Sequence, residues 1–263
     1  MKPIITGIDG SRAAIAAALW GVDEAVSRGV PLRLIAVMKL THPCPNDYAR
    51  DLAHAENSLR EAKSAIEASG KPVHIETEIP RGSAGSILIE ASPDAEMICI
   101  GSVGIGRYAR SMLGSTATEL AEQAHCTVAV LRTELDHPPP DINWIVVRMT
   151  DAPDNDAVVK YAAWEAKLRR APMLVLGGPP EDLTDHSDGR FERRIQDWRH
   201  RHPQVRVYPI TTRDGIAGFL SANNERVQLA VVSGSEAGQL ARLVGPHGHP
   251  LFRHPECSVL VVR

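Results

Sequence analysis

Cysteine, aromatic residues and long apolar runs are all scarce in this chain, and each shortage removes a class of protein. Cys44, Cys99, Cys126 and Cys257 form no C-x-x-C pair, and three of them sit in or beside apolar β-like runs. That pattern reads as small core residues in a reducing compartment. No uninterrupted apolar stretch reaches bilayer-spanning length, and Met1-Lys2-Pro3 runs straight into the strand-like Ile4 to Ile8, which leaves no room for the apolar core of a signal peptide. The expectation is a cytoplasmic protein with no membrane insertion. An excess of one charge is missing too: the net charge is −3 and the basic residues are scattered, so nucleic acid is not an expected partner.

The missing motifs are as informative. There is no G-x-x-x-x-G-K-[ST] loop, no G-x-S-x-G elbow and no evident base to pair with Ser115. The first βα turn lacks G-x-G-x-x-G, which sets aside a dinucleotide oxidoreductase. The Ser-Gly-Gly and His-x-Gly-His signatures of ATP-pyrophosphatases and adenylate-forming enzymes are absent as well. No catalytic residue is assigned.

What is present is repetition. The 263 residues, 43% of them hydrophobic, exceed one ordinary domain. Ala124 to Arg132, with Cys126-Thr127-Val128 at its centre, is echoed by His254 to Arg263 with Cys257-Ser258-Val259. Likewise Ser27 to Leu34 is echoed by Leu168 to Val175, each with a proline just before an apolar run. The chain therefore reads as two tandem copies of one domain, 1–135 and 142–263. Between them lies Asp136-His137-Pro138-Pro139-Pro140-Asp141, a short stiff linker.

Within the first copy, strand-like and helical patterns alternate. Ile4–Ile8, Leu32–Met38, Val73–Ile79, Met97–Ile100 and Thr127–Leu131 read as strands. Ser11 suits the cap of a helix running to about Ser27. Tyr48, Leu52, Ala55, Leu59, Ala62 and Ile66 make one apolar stripe of a long helix that Gly70 can end. Further helices fit Ser83 to Ala91 and the segment after Gly114. This alternation predicts an α/β fold with a parallel sheet covered on both faces, whose ligands bind beyond the carboxyl ends of the strands.

Two loops reach that edge. Gly101-Ser102-Val103-Gly104 leaves the fourth strand and leads to Gly114-Ser115-Thr116, a spacing that suits a backbone loop closing on a phosphate at a helix N-terminus. Without the phosphate it is a Gly-rich turn. Gly7-Ile8-Asp9-Gly10-Ser11 leaves the first strand. Asp9 there suits a ribose hydroxyl or a hydrated Mg²⁺, or simply bonds its own turn. His247, His249, His254 and Cys257 invite a zinc reading, but their spacing fits no zinc pattern and two prolines interrupt them, so a polar loop is expected and no metal site.

Together the Gly-x2-Gly-x9-Gly-Ser loop, the Gly7 to Ser11 turn and the closing Cys126-Thr127-Val128 strand resemble the ATP-binding universal stress proteins, and the two-copy layout resembles the tandem members common in mycobacteria and other actinobacteria. The resemblance implies a Rossmann-like, five-stranded parallel sheet per copy with an adenine-nucleotide site. Gly7 and Asp9 would flank the nucleoside, and Val37 or Met38 would wall the adenine. Gly101, Gly104, Gly114, Ser115 and Thr116 would hold ribose and phosphates. Arg107 and Arg110 could add charge but are expected to face water. The resemblance implies a stress-response role in which ATP, with or without Mg, is sensed by an unknown protein partner rather than turned over quickly, and a possible homodimer. A nucleotide-free interaction module and a slow ATPase are the alternatives.

The second copy departs from the pattern. Thr150 falls where Asp9 stands, unless a one-residue shift restores Asp151. Aligning Gly101 with Ser233 puts Glu236 and Pro246 in the places of Gly104 and Gly114; aligning it with Gly234 puts Ala237 and His247 there. Neither register keeps the glycine pair, so one nucleotide site per chain is expected, in the first copy.

Overall fold

The computed structural model describes residues 1–102, 113–132, 143–178, 190–223, 226–239, 243 and 257–263. It forms two compact units, Met1–Leu135 with Arg263 and Asp136–Val262. Gly104, Arg107, Arg110, the Asp136 to Asp141 linker, Pro246 and the three histidines 247, 249 and 254 lie outside the described residues.

In the first unit β1 (Ile4–Gly7), β2 (Leu32–Ile35), β3 (Ile75–Glu78), β4 (Met97–Gly101) and β5 (Thr127–Leu131) stand in the order β3-β2-β1-β4-β5. Every pairing is parallel. The helices are α1 (Arg12–Arg28), α2 (Pro45–Ala68), α3 (Ala84–Ala91) and α4 (Ser115–Gln123). Helix α1 starts where predicted because Ser11 Oγ accepts from the Ala14 N–H at 3.1 Å, satisfying one of the donors a helix start leaves over. Ala55, Leu59, Ala62 and Ile66 of the α2 stripe are buried, whereas Tyr48 is exposed. Proline suits a first helical position, and Pro45 begins α2 three residues ahead of the stripe.

Strand β2 ends at Ile35, short of the expected Met38. In the ladder with β3 the Ala36 N–H donates to the Glu78 carbonyl and the Met38 N–H to that of Pro80. The bond between them would come from the nitrogen of Pro80, which has no hydrogen. Met38 rejoins only as an isolated bridge to Arg81.

Alternation along the strands sets which helix covers which face. The missing side chain of Gly7 would point at Leu88 of α3 and at Ile100, while that of Gly101, next along β4, would point at Ala13 of α1. So α1 and α3 cover opposite faces.

The second unit repeats the order. β6 (Trp144–Arg148), α5 (Asn155–Leu168), β7 (Met173–Gly177), α6 (Arg190–Arg201), β8 (Val207–Thr211), α7 (Ile216–Ala222), β9 (Val227–Ser233) and β10 (Ser258–Val262) give the parallel sheet β8-β7-β6-β9-β10. The same bonds recur: Ile4 N–H to Pro31 O matches Ile145 N–H to Pro172 O, and Ile8 N–H to Ile35 O matches Met149 N–H to Leu176 O. The α/β class with five parallel strands per unit is as the sequence predicts. Helix α6 buries Ile195 and Trp198. The His202 ring stacks on Trp198, and burial, with Arg201 and Lys160 nearby, lowers its pKa and favours the neutral imidazole. Among the described residues no helix is long and apolar enough to cross a membrane.

Cys99, Cys126 and Cys257 are buried in the strand layers and Cys44 is exposed. Burial pushes the Cys126 thiol up to about 12. Iodoacetamide at pH 8 is expected to alkylate Cys44 alone in the folded chain and all four thiols in denaturant; peptide mass mapping that finds a second rapidly modified cysteine would contradict this core.

Candidate functional site

Strand order fixes where a ligand can sit. From β1 the chain moves to β2 and β3 on one side, then crosses to β4 and β5 on the other, so the connections diverge between β1 and β4. A crevice opens at the carboxyl ends of such a pair. These two strands are neighbours, with Ile4 opposite Met97 and Thr6 opposite Cys99. The turns carrying Asp9 and Gly101 therefore leave the sheet side by side.

Asp9 is half-buried, and its Oδ1 accepts from the Ser11 N–H at 2.9 Å, closing the turn onto α1. Gly10 has φ +82, and a Cβ there would lie 2.7 Å from Ser58 Oγ and 3.2 Å from the His54 ring. Only glycine meets both demands. His54 Nε2 lies 3.2 Å from the Asp9 carbonyl. A carbonyl can only accept, so Nε2 carries the hydrogen.

The glycines after β4 divide by role. A Cβ on Gly101 would fall 2.7 Å from the Ala13 Cβ and 3.0 Å from the Ala13 carbonyl carbon, so this glycine lets the first turn of α1 close on the strand. Gly114 is different. Its backbone is extended (φ −64, ψ 146), and among the described residues a Cβ would meet only the Ser102 carbonyl, at 3.5 Å. As the cap of α4 it offers no side chain to the helix's leading N–H groups, while its own N–H donates to Ser102 O at 2.9 Å. Ser115 is exposed and Thr116 half-buried in that first turn.

On the other side of β1, backbone alternation decides how Val37 and Met38 differ. Leu32, Ala36 and Met38 bond to the β3 side, whereas Ile35 accepts from Ile8 on the β1 side. Val37 follows Ile35 in that alternation, so its N–H and C=O face the side where β1 has already turned away. Met38 is buried and both its backbone groups are used, by Pro80 and Gly82.

The loop after Val37 is pinned to α2. Asp51 Oδ2 accepts from the Lys39 N–H at 3.0 Å and pairs with His42 Nε2 at 2.8 Å. Arg81 donates to the Leu40 carbonyl at 2.7 Å, and its guanidinium lies over the Tyr48 ring. The bond from His42, helped by that from Lys39, holds the Asp51 carboxyl below its ordinary value. Sequence reasoning singled out none of His42, Asp51, His54 or Arg81, since each is a lone polar residue without a motif.

A model of the universal stress protein family matches residues 1–132. A universal stress protein of Mycobacterium tuberculosis (strain ATCC 25618 / H37Rv) is 74% identical over 263 residues, covering 100% of this chain and 97% of the relative. The chain belongs to the universal stress protein family. A second universal stress protein of that strain is 35% identical over 265 residues, 98% of this chain and 95% of its own length. The crystal structure of a universal stress protein from Archaeoglobus fulgidus DSM 4304 covers 100% of this chain and 96% of its own, with a TM-score of 0.71 at 16% identity, a likeness of fold.

Strand register within this universal stress protein decides how the second unit compares. Ile145 pairs with Met173 and Leu229 as Ile4 pairs with Leu32 and Met97. Counting along each strand places Thr150 at the position of Asp9 and Ser233 at that of Gly101. The Ser233 N–H donates to Glu236 Oε2 at 3.2 Å, so a carboxylate of the same chain covers this turn. Across the sheet Arg194 of α6 donates to the Thr150 carbonyl at 2.9 Å, to Asp151 Oδ1 at 3.1 Å and to Asp156 Oδ1 at 3.3 Å. Cys257, weighed above as a zinc ligand, is fully buried ahead of β10. Among the described residues no group of three or more metal-ligating side chains gathers.

Two outcomes follow from this geometry. Gly101→Ala is expected to cost about 1–3 kcal/mol in urea unfolding, because the added methyl meets the backbone of α1. For Asp51 the folded pKa is depressed, so its stabilisation is complete above the ordinary carboxylate value and is lost as pH falls through the folded one. Asp51→Asn should therefore lose roughly 0.5 kcal/mol at pH 7, and the gap from the wild type should close below about pH 4. A gap unchanged by acid would show that the carboxylate's charge plays no part.

Proposed function

We propose that this universal stress protein binds an adenine nucleotide, ATP with or without Mg, in residues 1–135, and that residues 142–263 are a second domain of the same kind whose site is degenerate. The observation that carries the reading is Gly114. Among the described residues a Cβ there would meet only Ser102 O, at 3.5 Å, and Gly114 stands at the start of α4 with no side chain of its own to cap the helix, beside the carboxyl ends of β1 and β4, where backbone N–H groups suit a phosphate. Val37 supports the same reading, since a backbone donor and acceptor that face away from β3 suit the edge of an adenine ring. A carboxylate at Asp9, on the same edge, suits a ribose hydroxyl.

In the second domain the corresponding groups are otherwise engaged. Thr150 has no carboxylate to offer a ribose, and Glu236 would set a negative charge against a phosphate while occupying the Ser233 N–H. The nucleotide would be held rather than consumed, since the sequence places no nucleophile or base at the loop. Its presence would be read by a protein partner through a change in the 101–114 loop, limited by the nucleotide's differential affinity for the two states.

One observation favours a nucleotide-free interaction module: the positions of Gly10 and Gly101 are explained by helix packing alone. Calorimetric titration with Mg-ATP separates the readings. A stoichiometry near one per chain is expected, and a value near two, or no heat at all, would reject the proposal. At Gly114 the torsions suit any residue and, among the described residues, a Cβ makes only an ordinary contact with Ser102 O, so Gly114→Val should keep a near-wild-type melting temperature and lose at least about tenfold in affinity.

A further inference from the structure

We propose that His54 is a positioning residue for the nucleotide site, an assignment that rests on the adenine-nucleotide reading of residues 1–135. The peptide plane joining Asp9 to Gly10 is the weak link of that site. Its orientation is set by one torsion of Asp9 and one of Gly10, and glycine at φ +82 has no Cβ to restrict the rotation. On its other side the turn is firm, because the Ile8 N–H is held by the Ile35 carbonyl at 2.8 Å. The carbonyl of this loose plane receives the Nε2–H of His54 from α2, at 3.2 Å. Ser58, one turn further along α2, approaches the same glycine. Helix α2 thus fixes the plane, and with it the direction in which the Asp9 side chain leaves the turn.

A second observation bears independently on this clamp. In the other unit the position of Asp9 is Thr150, and its carbonyl also receives a donor from the helix that follows the second strand: Nη1 of Arg194, at 2.9 Å. There the guanidinium is itself held by Asp151 and Asp156. The two donors differ in chemistry and in their place along the sequence, yet both reach the same carbonyl. This turn is held from outside in both units, and in the first unit the held turn carries the carboxylate assigned to the ribose.

The bond is solvent-exposed, the kind whose loss changes an equilibrium by about threefold to tenfold. Mg-ATP titrations of the full chain should show His54→Ala weaker than wild type by that factor. His54→Gln, whose amide N–H reaches as far as Nε2, should come within about twofold of wild type. All three proteins should melt at nearly the same temperature without nucleotide, which a purely stabilising role would not allow. An alanine variant that binds like wild type overturns the assignment, as does a glutamine variant no better than alanine. A wild-type chain that binds no nucleotide overturns the site itself, a result distinct from either of these.

Discussion

The candidate site depends on how closely α1 approaches the end of β4. With a side chain at position 101 the first turn of α1 would be pushed off the strand, because even one methyl would meet Ala13 at 2.7 Å. That turn begins at Ser11, whose N–H closes on Asp9 and whose hydroxyl caps the helix. Moving α1 would thus move the Asp9 carboxylate as well. The proximity of the two loops is a consequence of backbone packing, and interior packing is too dense to absorb such a shift elsewhere.

The two units show what is retained when that edge diverges. Strand order, the bonds from Ile4 and Ile145, and the donor onto the first-turn carbonyl all recur. So does a fully buried glutamate paired with an arginine one turn later, Glu24 with Arg28 and Glu165 with Arg169. The turns at the carboxyl edge differ, with Thr150 in the place of Asp9 and Ser233 in that of Gly101, and α6 is half the length of α2. A parallel sheet is specified by its buried strands and by the helices that cross over it, whereas the loops beyond it are constrained mainly by what they bind.

Most of the fold was legible because its elements announce themselves in short-range pattern: apolar runs for β4, β5, β9 and β10, Ser11 for the start of α1, the heptad-like stripe for α2. The end of β2 was not, since it is decided by a proline on the neighbouring strand, 44 residues after Ala36. The register of the second unit was ambiguous in sequence because neither alignment kept the glycines; strand pairing resolves it to Ser233. Of the motif residues, the places of Gly7, Asp9, Gly101 and Gly114 at one sheet edge follow from topology. The distinction between Val37 and Met38 follows only from which way each backbone group faces. His54 carried no signal, because a histidine on the polar side of a helix stripe has nothing in its local sequence to mark it.

The glycines themselves sharpen the question of function. A glycine motif read from sequence treats its members as equivalent, each bringing backbone close to a ligand. Here Gly10 answers to its own φ and to α2, and Gly101 answers to α1, so both would be needed in a protein that bound nothing. Gly114 answers to neither. Its torsions are open to any residue and, among the described residues, its side-chain direction meets ordinary van der Waals contact with one carbonyl oxygen. A serine, threonine, asparagine or aspartate there would cap α4 better than glycine does. Glycine at that place forgoes a side-chain cap at the positive end of a helix dipole, which is where the function proposed for residues 1–135 puts a phosphate.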